Sequence, residues 1–307
     1  MEKKEHIQEG SPEIKNVHEA TKQLMFSKPY RRKTIAIFSI CWGLSAIGIL
    51  AIIFTGLSSA EAFQFFLFLL FAPFLYLMAL RRAVQKEFML QFAKANNFEF
   101  LGDLNAKDFK GKLFSVGNSR KITNAVSGTY QNKPLKIFNY KYTVGGGDSR
   151  KSYYFTVGEI KFEKTYFPHI YLKSKTMKKR YIAKGKIGSS KDRRISLDGN
   201  FDEHFELYAT NGYEIEALQI FNKELLALIY ERGNNFSIEF YKNKIYFFDD
   251  LHIGTQEELN RLYSVMSKTL DLVGPLLDRL HDDFDALHQL YLKEVYHKFS
   301  PPGQKQI

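Results

Sequence analysis

Two stretches near the N-terminus carry no charge over lengths that match a lipid bilayer, and they constrain every other reading of the chain. From Thr34 to Gly56 it reads TIAIFSICWGLSAIGILAIIFTG, 23 residues. At about 1.5 Å of rise per residue, a helix of that length exceeds a hydrocarbon core of about 30 Å. After residues 57–61, a second run from Ala62 to Leu80 (AFQFFLFLLFAPFLYLMAL) supplies 19 more uncharged residues, enough to cross back. Pro73 predicts a kink there, tolerated in a membrane helix when neighbouring groups satisfy the freed carbonyl.

The flanks predict orientation. Lys28, Arg31, Arg32 and Lys33 precede the first run, Arg81, Arg82 and Lys86 follow the second, and the connecting loop holds only Glu61. Because positive flanks stay on the cytoplasmic side, the expectation is a two-pass protein of the cell membrane with both termini in the cytoplasm. A secretory signal, suggested by the small residues Ala60 and Ala62 around Glu61, fits poorly because the polar leader and the apolar run are both too long and a second run follows. A buried helical hairpin of a soluble protein is the other competing reading. Uncharged runs of this length are rarely core helices.

Outside these runs lie all of the 44 Lys and Arg and 33 Asp and Glu that give a net charge of +11, a balance suited to anionic partners. The single cysteine, Cys41, falls inside the first run. An intramolecular disulfide and a cysteine-built zinc site are thereby excluded.

The remaining organisation follows from periodicity. Residues 1–33 mix Lys and Glu without a period, predicting a polar, disordered tail before the two membrane helices at 34–56 and 62–80. Residues 81–97 place Val84, Phe88, Phe92 and Ala95 at helical spacing, an amphipathic connecting helix. Residues 98–250 predict an α+β soluble domain with antiparallel hairpins. In Pro134–Val144 the residues Phe138, Tyr140, Tyr142 and Val144 alternate with polar ones, and Gly145-Gly146-Gly147-Asp148 punctuates the chain before a second strand at Lys151–Ile160. Phe236–Tyr241 and Lys244–Phe248 predict another hairpin. Between Tyr213 and Glu231 the spacing of Ile215, Leu218, Phe221, Leu225, Leu226 and Ile229 predicts one long helix. Residues 251–307 read as a C-terminal helical segment divided at Gly274-Pro275, with a stripe of Leu276, Leu280, Phe284, Leu287, Tyr291 and Val295 beyond the break. Such a stripe usually packs on its own domain, and it also offers a route to a homo-oligomer. The fold class expected is α+β: a transmembrane helical hairpin, a cytoplasmic mixed domain, then helix.

The block ISLDGNFDEHFELYAT at Ile195–Thr210 resembles a recurring block in an uncharacterised bacterial family, a domain of unknown function tethered by two membrane helices. Leu197, Asp198, Phe201, Phe205, Leu207 and Tyr208 carry the likeness, with Asp198 where the family pattern has Glu. The resemblance implies the anchored architecture and transfers no active site.

No motif for catalysis or for a cofactor survives inspection. Gly145–Ser152 (GGGDSRKS) approaches a phosphate-binding loop, but Arg150 replaces the second glycine and a strand follows rather than a helix. His281, Asp285 and His288 fall at one helical spacing, with Glu294 and His297 one face away, yet metal sites need three or four converging ligands. Asp202-Glu203-His204 and Asp249-Asp250-His252 put acids beside imidazoles in sequence only. No metal or cofactor is indicated.

One feature stands above background. Lys173 to Arg194 holds ten positive charges against the single Asp192. A solvated loop is the bland reading. The sharper one is contact with anionic membrane lipid through Lys178, Lys179, Arg180, Lys184, Lys186, Lys191, Arg193 and Arg194. Nucleic acid is disfavoured because Tyr181 is the only aromatic in the run, whereas single-strand binders interleave stacking platforms with charge. The function expected is a membrane-anchored binding or scaffold module with a lipid and a protein partner. The alternative is a membrane-tethered enzyme with an unrecognised site in the α+β domain.

Overall fold

The computed structural model describes residues 16–26, 28–55, 60–163, 165–176, 192–233, 235–249 and 254–299. Over 278–299 the description is of the backbone helix. The chain divides into two compact units, one holding residues 97–253 and the chain from 257, the other the helices before residue 97 together with residues 254–256.

In the helical unit, α1 (Val17–Phe26), α2 (Lys28–Thr55) and α3 (Ala60–Ala95) pack on one another. Helix α1 stands where composition predicts a disordered tail. Its N-terminus is closed locally, because Asn16 Oδ1 accepts the backbone N–H groups of His18 at 2.9 Å and Glu19 at 3.2 Å and Val17 N–H donates to Gly254 O at 2.7 Å. A satisfied first turn and a buried Val17 outweigh the weak propensity of the segment. Helix α3 continues without interruption through Pro73 and then buries Val84, Phe88 and Phe92 of the amphipathic stripe together with Met89 and Ala93, while Ala95 is half-buried.

Helices α2 and α3 form a close hairpin through small and polar side chains. Ser45 Oγ donates to Phe66 O at 2.7 Å, Trp42 Nε1 donates to Leu70 O at 3.2 Å, and a Cβ on Gly48 would lie 2.2 Å from the Phe66 ring. Small residues at such a seam are what lets membrane helices approach. The outer surface is the reverse of a soluble core: Ile47, Ile53, Phe54, Phe68 and Phe71 are exposed. Only 11% of each apolar window is buried, which makes both helices candidate membrane spans rather than mostly buried core helices.

Among the described residues, the other unit is built on one nine-stranded antiparallel sheet. Its strands are β1 (Glu99–Leu104), β2 (Asn118–Tyr130), β3 (Lys133–Val144), β4 (Lys151–Lys161), β5 (Phe167–Ser174), β6 (Asp192–Ile195), β7 (Phe205–Thr210), β8 (Ser237–Lys242) and β9 (Lys244–Asp249). Their order is β1-β2-β3-β4-β9-β8-β5-β7-β6. Both expected hairpins form, β3 with β4 from Val144↔Lys151 to Leu135↔Ile160, and β8 with β9 around Lys242-Asn243. The helices of this unit are α4 (Lys112–Ser115), α5 (Phe201–His204), α6 (Glu214–Ile220), α7 (Lys223–Gly233) and α8 (Gln256–Phe299).

Cross-strand register gives the sheet two unlike faces. One is aliphatic and carries Ile137, Gly158, Ile160, Leu172, Leu207, Ile238, Phe240, Ile245 and Phe247. Helices cover it: Phe221 sets its ring 5.7 Å from Phe240, and α8 lays Met266 over Gly158, where a Cβ would meet the sulfur at 2.2 Å. Gly158→Val is therefore expected to lower domain stability by about 1–3 kcal/mol through overpacking, measured by urea unfolding; an unchanged midpoint would show that α8 has room to shift.

Two helical expectations are corrected. The Tyr213–Glu231 helix is two, α6 and α7, broken at Phe221-Asn222, where Asn222 Oδ1 accepts Leu225 N–H at 3.0 Å and caps α7. The break turns the stripe, so Phe221, Leu225, Leu226 and Ile229 are buried while Ile215 and Leu218 are exposed. Conversely, α8 is not divided at Gly274-Pro275 but runs through it. Leu270, Val273 and Leu277 are buried on both sides of the proline. At about 1.5–3 kcal/mol per buried side chain, they offset a proline cost of about 3 kcal/mol. The side chains expected to form the self-association stripe beyond Leu276 lie outside the described ones.

Candidate functional site

The second face of the sheet is aromatic and charged. Register places Tyr140, Tyr142, Phe155, Glu159, Tyr246, Glu239, Tyr171 and Tyr208 in adjoining rows on it. Residues 105–117 fold over part of this face, with Phe109, Leu113 and Phe114 entering the same cluster. The Phe114 ring lies 5.0 Å from those of both Tyr140 and Tyr246. Beside this cover a cavity of about 740 Å³ remains, lined by residues that include Lys107, Phe109, Lys110, Lys112, Phe114, Arg120, His169, Asp192 and Tyr241.

A charge network forms its base. Glu239 is fully buried in the middle of β8, and its Oε1 accepts the backbone N–H of Lys112 at 2.7 Å and lies 2.8 Å from His169 Nε2. His169 Nδ1 is 3.5 Å from Asp192 Oδ2, and that carboxylate pairs with Lys112 Nζ at 3.2 Å. Burial lowers the pKa of His169, but hydrogen bonds and charge from Asp192 and Glu239 more than reverse this and raise it to about 9. At neutral pH the ring is thus an imidazolium clamped between two carboxylates. Gly111 is required beside it: its φ is +139°, and a Cβ would come within 2.8 Å of Glu239 Oε2.

Around the network the face stays polar. Glu159, nearly inaccessible, pairs with Lys244 at 2.9 Å, and Lys244 Nζ stands 5.2 Å above the Phe109 ring. Lys173 pairs with Glu206 at 2.7 Å; burial raises the Glu206 pKa, but Lys173 and the Tyr208 hydroxyl bring it below the ordinary range. The hydroxyls of Tyr140 and Tyr142 are buried without a hydrogen-bond partner among the described residues, and burial pushes the Tyr140 phenol up to about 12.

The residues singled out in sequence fall mostly elsewhere. Arg193 and Arg194 are exposed on β6, at one edge of the sheet, on opposite faces. Arg193 reaches Glu214 at 3.6 Å. Lys178, Lys179, Arg180, Lys184, Lys186 and Lys191 lie outside the described residues, as do the side chains of His281, Asp285, His288, Glu294 and His297. Gly147–Ser149 is a short 3-10 turn in the β3–β4 hairpin. In the Asp202-Glu203-His204 run, Asp202 organises its own turn, accepting from Ser196 Oγ at 2.8 Å and Leu197 N–H at 3.1 Å, while the His204 ring packs on Tyr230 at 4.6 Å. Asp249 is buried and pairs with Arg261 at 3.4 Å; Asp250 and His252 lie outside the described residues. Among the described residues, no three His, Cys, Asp or Glu side chains converge as metal ligands.

His169, Glu239 and Lys112 give no signal in sequence. Glu239 alternates with Phe236, Ile238 and Phe240, which places it on the face that pattern assigns to solvent. Its partners are 70 and 127 residues away.

No protein-family model matches the chain, nor does any curated protein. The likeness at Leu197–Tyr208 therefore rests on those residues alone. Among solved structures, the chain is similar to the crystal structure of the mycobacterial trehalose monomycolate transport factor A, TtfA, at 14% identity and a TM-score of 0.46, covering 62% of this chain and 94% of that one.

Proposed function

We propose that the protein is a membrane-anchored binding module: α2 and α3 cross the bilayer, both termini lie in the cytoplasm, and the sheet unit presents its polar face and a basic segment to anionic partners there. The observation that carries this reading is the hairpin's surface. Its apolar residues are exposed along both helices, and exposed cations bracket them, Arg32 and Lys33 on one side and Arg81 and Arg82 on the other.

The charge network supports binding over catalysis. Both ring nitrogens of His169 face carboxylates, so the imidazole has no lone pair to offer a substrate proton. Two hydroxyls of the cavity lining are already engaged, Ser115 Oγ donating to Lys112 O at 2.7 Å and Thr210 Oγ1 to His169 O at 3.3 Å. Nucleophilic catalysis needs a base within reach of its nucleophile.

The basic segment tests the reading. Contact with an anionic leaflet contributes about 1 kcal/mol per Lys or Arg held near the surface. A fragment spanning 97–299 is expected to float with vesicles containing phosphatidylglycerol, to release at high salt, and to lose roughly tenfold or more of its binding as R193Q/R194Q. Equal flotation with neutral vesicles, or none with anionic ones, would overturn the lipid contact.

A further inference from the structure

The cavity beside residues 105–117 has a composition that its own ion pairs do not explain. Five of its lining groups are cationic at neutral pH: Lys107, Lys110, Lys112, Arg120 and the His169 imidazolium. Two carboxylates, Asp192 in the lining and Glu239 beneath it, answer Lys112 and His169. Lys107 and Lys110 are exposed at the rim and have no carboxylate partner among the described residues, and Arg120 directs its donors to the carbonyls of Gly117 and Ser115. The site therefore holds a surplus of three positive charges.

The cations arrive from three separate elements. Lys107 and Lys110 come from the covering loop, Arg120 from β2, and His169 from β5. Of the unneutralised charge, Lys107 and Lys110 reach the rim from the covering loop and Arg120 from β2, so it approaches from two sides and suits an anion with several acceptor oxygens, such as a phosphate. The volume adds a second constraint. At about 740 Å³ the cavity is far larger than one phosphate and falls in the range of sites for small organic ligands. Phe109, Phe114 and Tyr241 give it an apolar wall.

We infer that this cavity is a binding site for a phosphate ester, with the phosphate held at the Lys107, Lys110 and Arg120 rim and the organic part resting on Phe109, Phe114 and Tyr241. Asp192 and Glu239 hold Lys112 and His169 in place, and the imidazolium supplies charge rather than a proton. The shared chemistry fits two sources, a soluble phosphorylated metabolite or the headgroup of a phospholipid. The inference goes beyond the anchored-module reading and does not depend on the basic segment.

The test uses the full chain in nanodiscs of phosphatidylcholine, titrated with glycerol 3-phosphate by calorimetry, with glycerol as the uncharged control and sulfate as the non-ester control. Glycerol 3-phosphate is expected to bind, glycerol and sulfate to bind at least about tenfold more weakly, and K107Q/K110Q to lose about tenfold or more in affinity. Both lysines are exposed, so this variant is expected to keep the parent's unfolding midpoint. As an independent readout, the ligand should protect Lys107 and Lys110 from acetylation while Lys151, exposed at the start of β4, stays reactive. Repeating the titration in discs containing phosphatidylglycerol separates the sources: loss of binding to the soluble ester assigns a lipid headgroup, and unchanged binding assigns a soluble one. R193Q/R194Q should leave the titration unchanged, which keeps this site distinct from the proposed lipid contact. No binding of glycerol 3-phosphate in either disc, sulfate binding equally well, or K107Q/K110Q binding as the parent does would overturn the inference.

Discussion

A fragment spanning 97–299 is expected to be most stable to urea near pH 6 and to weaken steadily as the pH rises to about 9, with His169→Gln removing that slope. The sign follows from the direction in which the imidazole is perturbed. His169 is raised from 6.5 to about 9 by Asp192 and Glu239 against the opposing effect of burial. The folded state therefore holds a proton that the unfolded chain releases at lower pH. The stabilisation is fully present below pH 6.5 and is lost as the pH passes through the folded value. It falls by about 1.4 kcal/mol for each pH step of one between those two values, on the order of 3 kcal/mol in all. The charged groups facing the ring are Asp192, Glu239 and, through Asp192, Lys112, and the Tyr241 ring packs edge-on against it at 5.7 Å. Removing one member of such a buried set costs more than its net worth, because the others are left charged without a partner. Glu239→Leu is accordingly expected to cost about 3–5 kcal/mol at pH 7 and to lower the melting temperature by roughly 10 °C in a domain of this size. A parent fragment with equal midpoints at pH 6 and pH 9, or a slope that persists in His169→Gln, would sink the assignment of an imidazolium at this position.

Charge placed on the outer surface of the hairpin is expected to have an effect as large, and opposite to what a soluble protein would show. Ile47 and Phe68 are 67% and 60% exposed. In a water-soluble hairpin, Lys at such positions would be neutral or helpful to solubility. In a bilayer each Lys near the middle of a span costs about 2.5–3.5 kcal/mol. I47K/F68K is therefore expected to move the chain from the carbonate-resistant membrane pellet into the extractable fraction, with the parent remaining in the pellet. A companion measurement fixes orientation: reporters at both termini should be active in the cytoplasm, and a cysteine at Ser58 should label from outside. Retention of the double variant in the pellet would refute the spanning hairpin, and labelling of Ser58 from the cytoplasmic side alone would refute its proposed orientation.

Much of the architecture was legible from local pattern alone. A run of 23 uncharged residues has one physical outlet, a helix surrounded by something apolar. Alternation in Phe138–Val144 has only one period to follow. The misreadings arose where local signals competed with packing. Nothing in Tyr213–Glu231 weighs Asn222 as a cap against helix continuation until Phe221 finds Phe240, and Pro275 reads as a stop until Leu277 is seen buried beyond it.

The candidate site was not legible at all, and the reason is the same alternation that made the strands easy to find. A period of two says which residues share a face, but not whether that face meets water. In β8 the pattern correctly sends Ile238 and Phe240 to one side and Glu239 to the other; only the fold lays residues 105–117 over that second side and brings Lys112 and His169 to the buried carboxylate. Local pattern suffices for the apolar hairpin, the hairpins of the sheet and the excess of positive charge, because each depends on neighbours in the chain. It does not suffice for a carboxylate on the polar side of a strand that ends up buried, paired and beneath a cation-lined cavity, because burial of that face depends on a segment 127 residues away.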